Sequence, residues 1–368
     1  MDTLQAGDVQ AGDAVAKVPG TKFEMSSTDT TEMVPTADYN QRPSRMKFGK
    51  MKLFCGSASH DLGGEIASYI RSRPGYENFH PGLYDRNTFS NENIFIRLKE
   101  SVRGRDVYLV QTMASPLHDN LMEMLIMIDA LKRDSAWRIN LVVPYLSYTR
   151  SDKKDQPRVP ITARLLANMI ETAGADRYIT VDLHSGQIQG FFNIPGDALT
   201  AFHLLSDYVK DHYDLSRLVV VATDLGFAKQ GRNWAEALDV PLAFIEKRRV
   251  DNAERPKALS LIGDVTGKDV LLVDDEVNTA GSIVNAVNVV REAGAGAVSF
   301  AFTHAFLSDI AYERLAALDL KEIIFTNTLP TPAEKRLPNM TVLSVAPLLS
   351  EVIIRAHEGR SVGELFDE

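Results

Sequence analysis

Cysteine occurs once in 368 residues, as Cys55. That excludes an intrachain disulfide framework and a thiolate-rich zinc site, and it fits a reducing compartment such as the cytoplasm. An excess of positive charge is missing too. The 40 Lys and Arg stand against 49 Asp and Glu, a formal charge of −9, so no chain-wide basic field exists to hold a nucleic acid backbone. Long apolar runs are lacking as well: stretches such as Leu218 to Ala222 are far too short to cross a bilayer. Neither nucleic acid nor membrane is therefore expected as a partner. What is there is ordinary globular composition, 45% hydrophobic and 24% charged, in a length that at about 100–200 residues per domain suggests two domains.

Residues 1–47 mix Asp, Glu, Thr, Ser, Gly and Pro with hardly any aromatic residues and no sustained apolar period. Such a segment buries too little surface to offset the entropy of ordering and is expected to be disordered. It does not read as a transit peptide, because Asp2, Asp8, Asp13, Glu24 and Asp29 precede its first arginine, Arg42.

From Met51 short apolar runs alternate with longer helical patterns: Lys52–Cys55 then Asp61–Arg71, Val107–Gln111 then Asn120–Arg133, and Ile139–Val143, Arg164–Ala173 and Ile179–Asp182. The alternation resumes after Asp197 with Leu218–Ala222, Gln230–Leu238, Leu242–Ile245, Asp269–Val273, Ser282–Ala293, Ala297–Thr303 and Ile323–Asn327. Strand, helix, strand in succession predicts an α/β fold with mainly parallel sheets covered on both faces. Two halves are expected, residues 50–198 and 199–368, the last residues possible packing partners of the first half. In such sheets ligands lie outside the carboxyl ends of the strands, so the residues following each apolar run are where chemistry is sought.

The strongest signal is Val270-Leu271-Leu272-Val273-Asp274-Asp275-Glu276-Val277-Asn278-Thr279-Ala280-Gly281-Ser282. An apolar strand ends in two carboxylates, and a Thr-Ala-Gly-Ser turn then opens a helix. The hydroxyls of Thr279 and Ser282, the flexible Gly281 and the free N–H groups of the helix start would together cradle a phosphate. Asp274 and Asp275 would meet sugar hydroxyls directly or through a divalent cation, which prefers carboxylate oxygens. The plain alternative, an acidic strand end followed by an N-capped helix, accounts for the two acids but not for the whole run.

This run resembles the ribose-phosphate loop of the type I phosphoribosyltransferase fold, and its neighbours resemble one family within it, ribose-phosphate pyrophosphokinase. The segments that carry the likeness span about residues 51–368. They include Phe89-Ser90-Asn91-Glu92-Asn93, Ser101-Val102-Arg103-Gly104-Arg105-Asp106-Val107-Tyr108, and Tyr148-Thr149-Arg150-Ser151-Asp152-Lys153-Lys154-Asp155. Further along come Val181-Asp182-Leu183-His184-Ser185-Gly186-Gln187-Ile188-Gln189-Gly190-Phe191-Phe192 and Glu246-Lys247-Arg248-Arg249.

The resemblance implies two tandem type I phosphoribosyltransferase-like domains and transfer of the intact β,γ-diphosphate of ATP to the anomeric hydroxyl of ribose 5-phosphate, with Mg2+ as cofactor. It implies that Lys247 and Arg249 close over the transferring group as a lid, and that Arg150, Ser151, Lys153, Lys154, Asp155 and His184 bind ATP. Phe89, Asn91 and Asn93 would take the adenine, in the active site of a neighbouring subunit. Arg249, Asp274, Asp275, Asn278, Thr279, Ala280, Gly281 and Ser282 would bind ribose 5-phosphate. Asp224, Gly226 and Lys229 would form the diphosphate loop, and Asp182, His184 and Asp224 would serve the metal. A homo-oligomer, a hexamer built from dimers with shared active sites, is implied. Asp182 and His184 are expected to project on the same side of a strand end, being two residues apart.

Some positions depart from the family pattern: Asn278 replaces a common aspartate of the sugar-phosphate loop, Ser151 a glutamine of the ATP loop, and Asn93 an acid. An amide offers a neutral acceptor and a donor in place of a carboxylate, so altered affinity or rate is expected at Asn278. Two other readings compete: a catalytically weak regulatory homologue, and a phosphoribosyltransferase that consumes phosphoribosyl pyrophosphate. The second normally needs only one α/β domain.

Overall fold

The computed structural model describes residues 48–248 and 258–365. Residues 1–47 and the stretch from Arg249 to Lys257, including the Arg249 part of the expected lid, lie outside the described residues.

The first half runs β1 (Met51–Cys55), α1 (His60–Arg71), β2 (Tyr84–Thr88), β3 (Ile94–Leu98), β4 (Asp106–Val110), α2 (Leu117–Arg133), β5 (Arg138–Val142), α3 (Thr162–Ala173), β6 (Arg177–Val181) and β7 (Gly196–Leu199). The second runs α4 (Phe202–His212), β8 (Leu218–Ala222), α5 (Ala228–Leu238), β9 (Leu242–Arg248), β10 (Ala258–Ile262), β11 (Asp269–Val277), α6 (Gly281–Glu292), β12 (Val298–Ala305), α7 (Asp309–Ala316), β13 (Ile323–Thr326), β14 (Met340–Leu343) and α8 (Ala346–Glu358).

Strands β1-β4-β5-β6-β7 form a parallel sheet. A seven-stranded sheet in the order β10-β9-β8-β11-β12-β13-β14 is parallel except for the β9–β10 pair. Every residue of β4, β8 and β12 is buried, as helices on both faces require, and the unbroken apolar run of β8 anticipates it. The fold is thus α/β with two mainly parallel sheets.

Each amphipathic helix lays one stripe on a sheet. Helix α1 buries Leu62, Ile66, Ala67 and Ile70, a spacing that keeps them on one face. The last helix, α8, packs against α1, and its Ser350 hydroxyl donates to the Ile66 carbonyl at 3.4 Å. At its C-terminal end the His357 ring meets Asp106 of β4 at 2.7 Å, and Arg138 of β5 donates to the Ala356 carbonyl at 3.1 Å.

Three segments differ from the sequence expectation. Strand β11 runs through Asp274, Asp275 and Glu276 to Val277, because β12 pairs with it as far as Ala305. Strand β9 likewise takes in Lys247 and Arg248, which pair with Leu259 and Ala258 of β10 rather than following the strand. The Phe89–Asn93 segment is the tip of an antiparallel hairpin, β2–β3, which pairs with neither sheet. Its first strand, Tyr-Asp-Arg-Asn-Thr, is polar and half-exposed, so it gives no apolar run to detect.

Candidate active site

The strand ends of the two sheets meet across a cleft of about 620 Å³. From the first half it is lined by Arg150, Asp152, Lys153, Asp182, His184 and Gln187, and from the second by Asp224, Gly226, Asp274, Asp275, Glu276 and Ser282. These residues lie at or just beyond the carboxyl ends of β5, β6, β8 and β11, the ends that the parallel topology marks for ligands.

Asp182 does not continue the pleat of β6. Its φ is 38°, a left-handed conformation uncommon for a residue with a side chain, so strand alternation does not govern where Asp182 and His184 point. The turn is held from several directions. The Asp182 carboxylate accepts from the Thr303 hydroxyl at 2.7 Å and from the Ala201 N–H at 3.1 Å. The ring of buried His304 lies 3.0 Å from the Asp182 carbonyl and 3.1 Å from that of Val181. Thr303 and His304 belong to β12, so the second sheet fixes a turn of the first. Both Asp182 and His184 then line the cleft.

Electrostatics separate the acidic pair. Asp275 reaches His184 Nδ1 at 2.7 Å. Asp274 turns inward, accepting from the Thr223 hydroxyl at 2.6 Å and from the Asp275 N–H at 2.9 Å. Burial, reinforced by the charge of Asp275, pushes the Asp274 carboxyl up to about 7. Burial also pushes Asp275 up, but the hydrogen bond from His184 and those of Asp274 outweigh it and hold its carboxyl below the usual range. The same hydrogen bond to Asp275 raises the His184 imidazole above its usual value. One carboxylate of the pair therefore stays ionised toward the cleft while its neighbour keeps a proton more readily.

After β11 the chain turns through exposed Asn278 and Thr279 into α6. Their carbonyls are braced, that of Asn278 by the Ser308 N–H and hydroxyl at 3.0 Å each, and that of Thr279 by Arg314 at 2.7 Å. The left-handed residue is Ala280, with φ of 56°, rather than Gly281, which begins the helix. No side chain caps α6, so its first N–H groups remain available to an anion.

Not every expected residue borders this cleft. Ser151, Lys154, Asp155, Lys229, Asn278, Thr279, Ala280 and Gly281 lie outside its lining. Ser151 instead joins its hydroxyl to Thr162 at the start of α3, at 3.3 Å. Phe89, Asn91 and Asn93 sit exposed at the hairpin tip, where Phe89 packs on Phe95 with ring centroids 6.0 Å apart. Lys247 is placed by its backbone in β9, and Arg249 lies outside the described residues.

Other lining residues went unread as site residues. Glu276, nearly buried, stands 3.7 Å from Arg150. Gln187 donates to Asp152 at 2.6 Å. Phe202 and Trp234, edge to face at 5.4 Å, add an apolar wall. Glu276, Gln187 and Asp152 fall inside segments that carry the family resemblance, so a signal existed. Phe202 and Trp234 come from α4 and α5, where an aromatic residue reads simply as core.

Among the described residues, no three His, Cys, Asp or Glu side chains form a ready metal cluster. The donor set still fits Mg2+, which is commonly held by one or two carboxylates together with substrate phosphates; Asp224, Asp275 and Glu276 offer carboxylates to one cleft. No helix among the described residues is long and apolar enough to cross a membrane.

Residues 51–174 match the N-terminal domain of ribose phosphate pyrophosphokinase, and residues 250–367 match the phosphoribosyl synthetase-associated domain. A ribose-phosphate pyrophosphokinase of Mycobacterium tuberculosis is 45% identical over 86% of this chain and 96% of its own. One from Corynebacterium efficiens is 48% identical over 76% of this chain and 86% of its own. The crystal structure of phosphoribosylpyrophosphate synthetase from Mycobacterium smegmatis superposes with a TM-score of 0.78 at 44% identity, covering 84% of this chain and 99% of that one. With a relative of such identity spanning nearly its whole length, this chain belongs to the ribose-phosphate pyrophosphokinase family and is an enzyme of that family.

Proposed function

We propose that the cleft binds ATP and ribose 5-phosphate and moves the intact β,γ-diphosphate of ATP to the anomeric hydroxyl of the sugar, giving phosphoribosyl pyrophosphate and AMP. The observation that carries this reading is the His184–Asp275 contact, 2.7 Å long, which joins the nucleotide side of the cleft to the sugar side. The 5-phosphate sits at the uncapped start of α6 with Ser282, Asn278, Thr279, Ala280 and Gly281. Ionised Asp275 accepts the ribose hydroxyls, while Asp274 backs it from the interior. Arg150 and Lys153 take the nucleotide phosphates, and the turn with Asp224, Gly226 and Lys229 takes the diphosphate.

Such transfer depends on positioning and on neutralising phosphate charge more than on a covalent nucleophile. Mg2+, held by Asp224 and the His184 side of the cleft together with phosphate oxygens, would supply a Lewis acid there. Lys247 and Arg249 would cover the transferring group, at the end of β9 and in the segment after it. Phe89 and Asn91 would reach the adenine of a neighbouring subunit, so the working form is a homo-oligomer, a hexamer built from dimers. The half-boundary lies between residues 198 and 199. The single buried Cys55 suits a cytoplasmic enzyme.

Purified protein supplied with Mg2+, ATP and ribose 5-phosphate is expected to release AMP in step with phosphoribosyl pyrophosphate. ADP as the nucleotide product would contradict diphosphate transfer.

A further inference from the structure

The two sheets repeat one strand order: β1-β4-β5-β6-β7 corresponds to β8-β11-β12-β13-β14. In both, the opening strand leads through a short turn into a helix, β1 into α1 and β8 into α5. The turn after β8, with Asp224 and Gly226, opens on the cleft. Its counterpart after β1 also borders a cavity, but its first N–H donors are already engaged by side chains. Glu123 of α2, its side chain fully buried, accepts from both the N–H and the hydroxyl of Ser57 at 2.9 Å. The adjacent Ala58 N–H donates to Gln111 Oε1 at 3.2 Å. Backbone donors at a strand-to-helix turn favour an anion, and here the anion is a side chain of the chain itself. Glu123 is the seventh residue of α2, whereas the seventh residue of α6 is Val287, buried and apolar. The second half therefore has no such carboxylate on α6; there Asp224 of the turn itself accepts from the Phe227 N–H at 3.1 Å.

The same carboxylate also holds the β2–β3 hairpin. Glu123 accepts from the Tyr84 hydroxyl and from Arg86 Nε, each at 3.0 Å. Tyr84 and Arg86 are alternate residues of β2 and share one face of the hairpin. Opposite them, Leu98 and Ile96 of β3 pack only half-buried against the first core.

We propose that Glu123 is a positioning residue: its carboxylate occupies the anion cradle of the first half and sets the pose in which the hairpin presents Phe89 and Asn91. The effect on ATP rests on the adenine reading given above. Removing the carboxylate reopens a cradle for a small carboxylate ion.

The test compares the full-length enzyme with Glu123→Ala and Glu123→Gln, by steady-state kinetics and by amide hydrogen exchange of residues 84–98, with and without sodium formate. In Glu123→Ala the KM for ATP is expected to rise about tenfold, with kcat and the KM for ribose 5-phosphate within about threefold. Exchange in 84–98 quickens, and formate reverses both changes. Glu123→Gln, which keeps the size but fills the cradle without charge, quickens exchange and ignores formate; it decides the matter if the alanine variant does not fold. Unchanged exchange in both variants overturns the proposal. So does a joint loss of kcat and both KM values without a formate response, the mark of a merely structural group. Phe89→Ala separates the two readings: an unaltered KM for ATP there removes the adenine role, while exchange and formate response still report on Glu123.

Discussion

Asp275→Ala is expected to lower kcat/KM for ribose 5-phosphate by about 10²–10³-fold, the loss typical when one preorganised polar partner of the reacting groups is removed. The Asp275 carboxyl is held in its charged form by His184, at 2.7 Å, and it faces the cleft. Alanine therefore takes away an acceptor for the sugar and leaves the imidazole without its partner. Steady-state AMP release under varied ribose 5-phosphate checks this, alongside a melting curve that should stay close to wild type. A loss below about fivefold would remove Asp275 from the sugar site. Asp274→Ala makes the contrast. That residue is bound by Thr223 and by the Asp275 N–H, so its loss should appear in stability as well as in rate.

The largest stability effect is expected away from the cleft. Asp106 is fully buried and accepts from Arg138 at 2.7 and 2.8 Å, from Asn140 at 2.9 Å, and meets the His357 ring at 2.7 Å. Through Arg138 and His357 this one carboxylate ties β4 and β5 to the end of α8. Asp106→Ala leaves the Arg138 guanidinium without its buried partner, a change that costs about 3–5 kcal/mol, measurable as a lowered urea midpoint. Burial pushes the Asp106 carboxyl up, but the hydrogen bonds from His357 and Arg138 outweigh it and hold it below the usual carboxylate value. A depressed folded pKa contributes stability that is complete above the unfolded value, about 3.9, and is lost as pH falls through the folded one. The gap between wild type and Asp106→Ala should thus be full at neutral pH and shrink in acid. A gap of equal size at both would show that the charge of Asp106 is not what links α8 to the first sheet.

Much of this architecture was legible beforehand, and unevenly so. The strand Leu218–Ala222 is legible to the residue, because a fully buried parallel strand leaves an unbroken apolar run. The apolar run of its neighbour β11 ends four residues short of the strand, at Val273, while the β12 ladder carries pairing on to Val277. The hairpin β2–β3 leaves no apolar signal in the sequence, as its first strand is polar. Within the cleft, Arg150, Lys153, Asp182, His184, Asp224, Gly226, Asp274, Asp275 and Ser282 were all anticipated and all line it. Phe202 and Trp234 were not, because an aromatic side chain on an amphipathic helix looks the same whether it faces a core or a ligand.

The chain alone determined the alternation of strand and helix, the family, and the residue types at the strand ends, since these follow from local periodicity and from short segments whose chemistry is written in order. Tertiary structure decided which of two adjacent acids keeps its charge, and that a carboxylate from α2, Glu123, engages the first N–H group after β1. Those outcomes depend on burial and on partners such as His184, Thr303 and Arg86, 91, 121 and 37 residues away from the groups they hold. Electrostatic energy is set by distance and dielectric, and neither is a property of neighbouring letters.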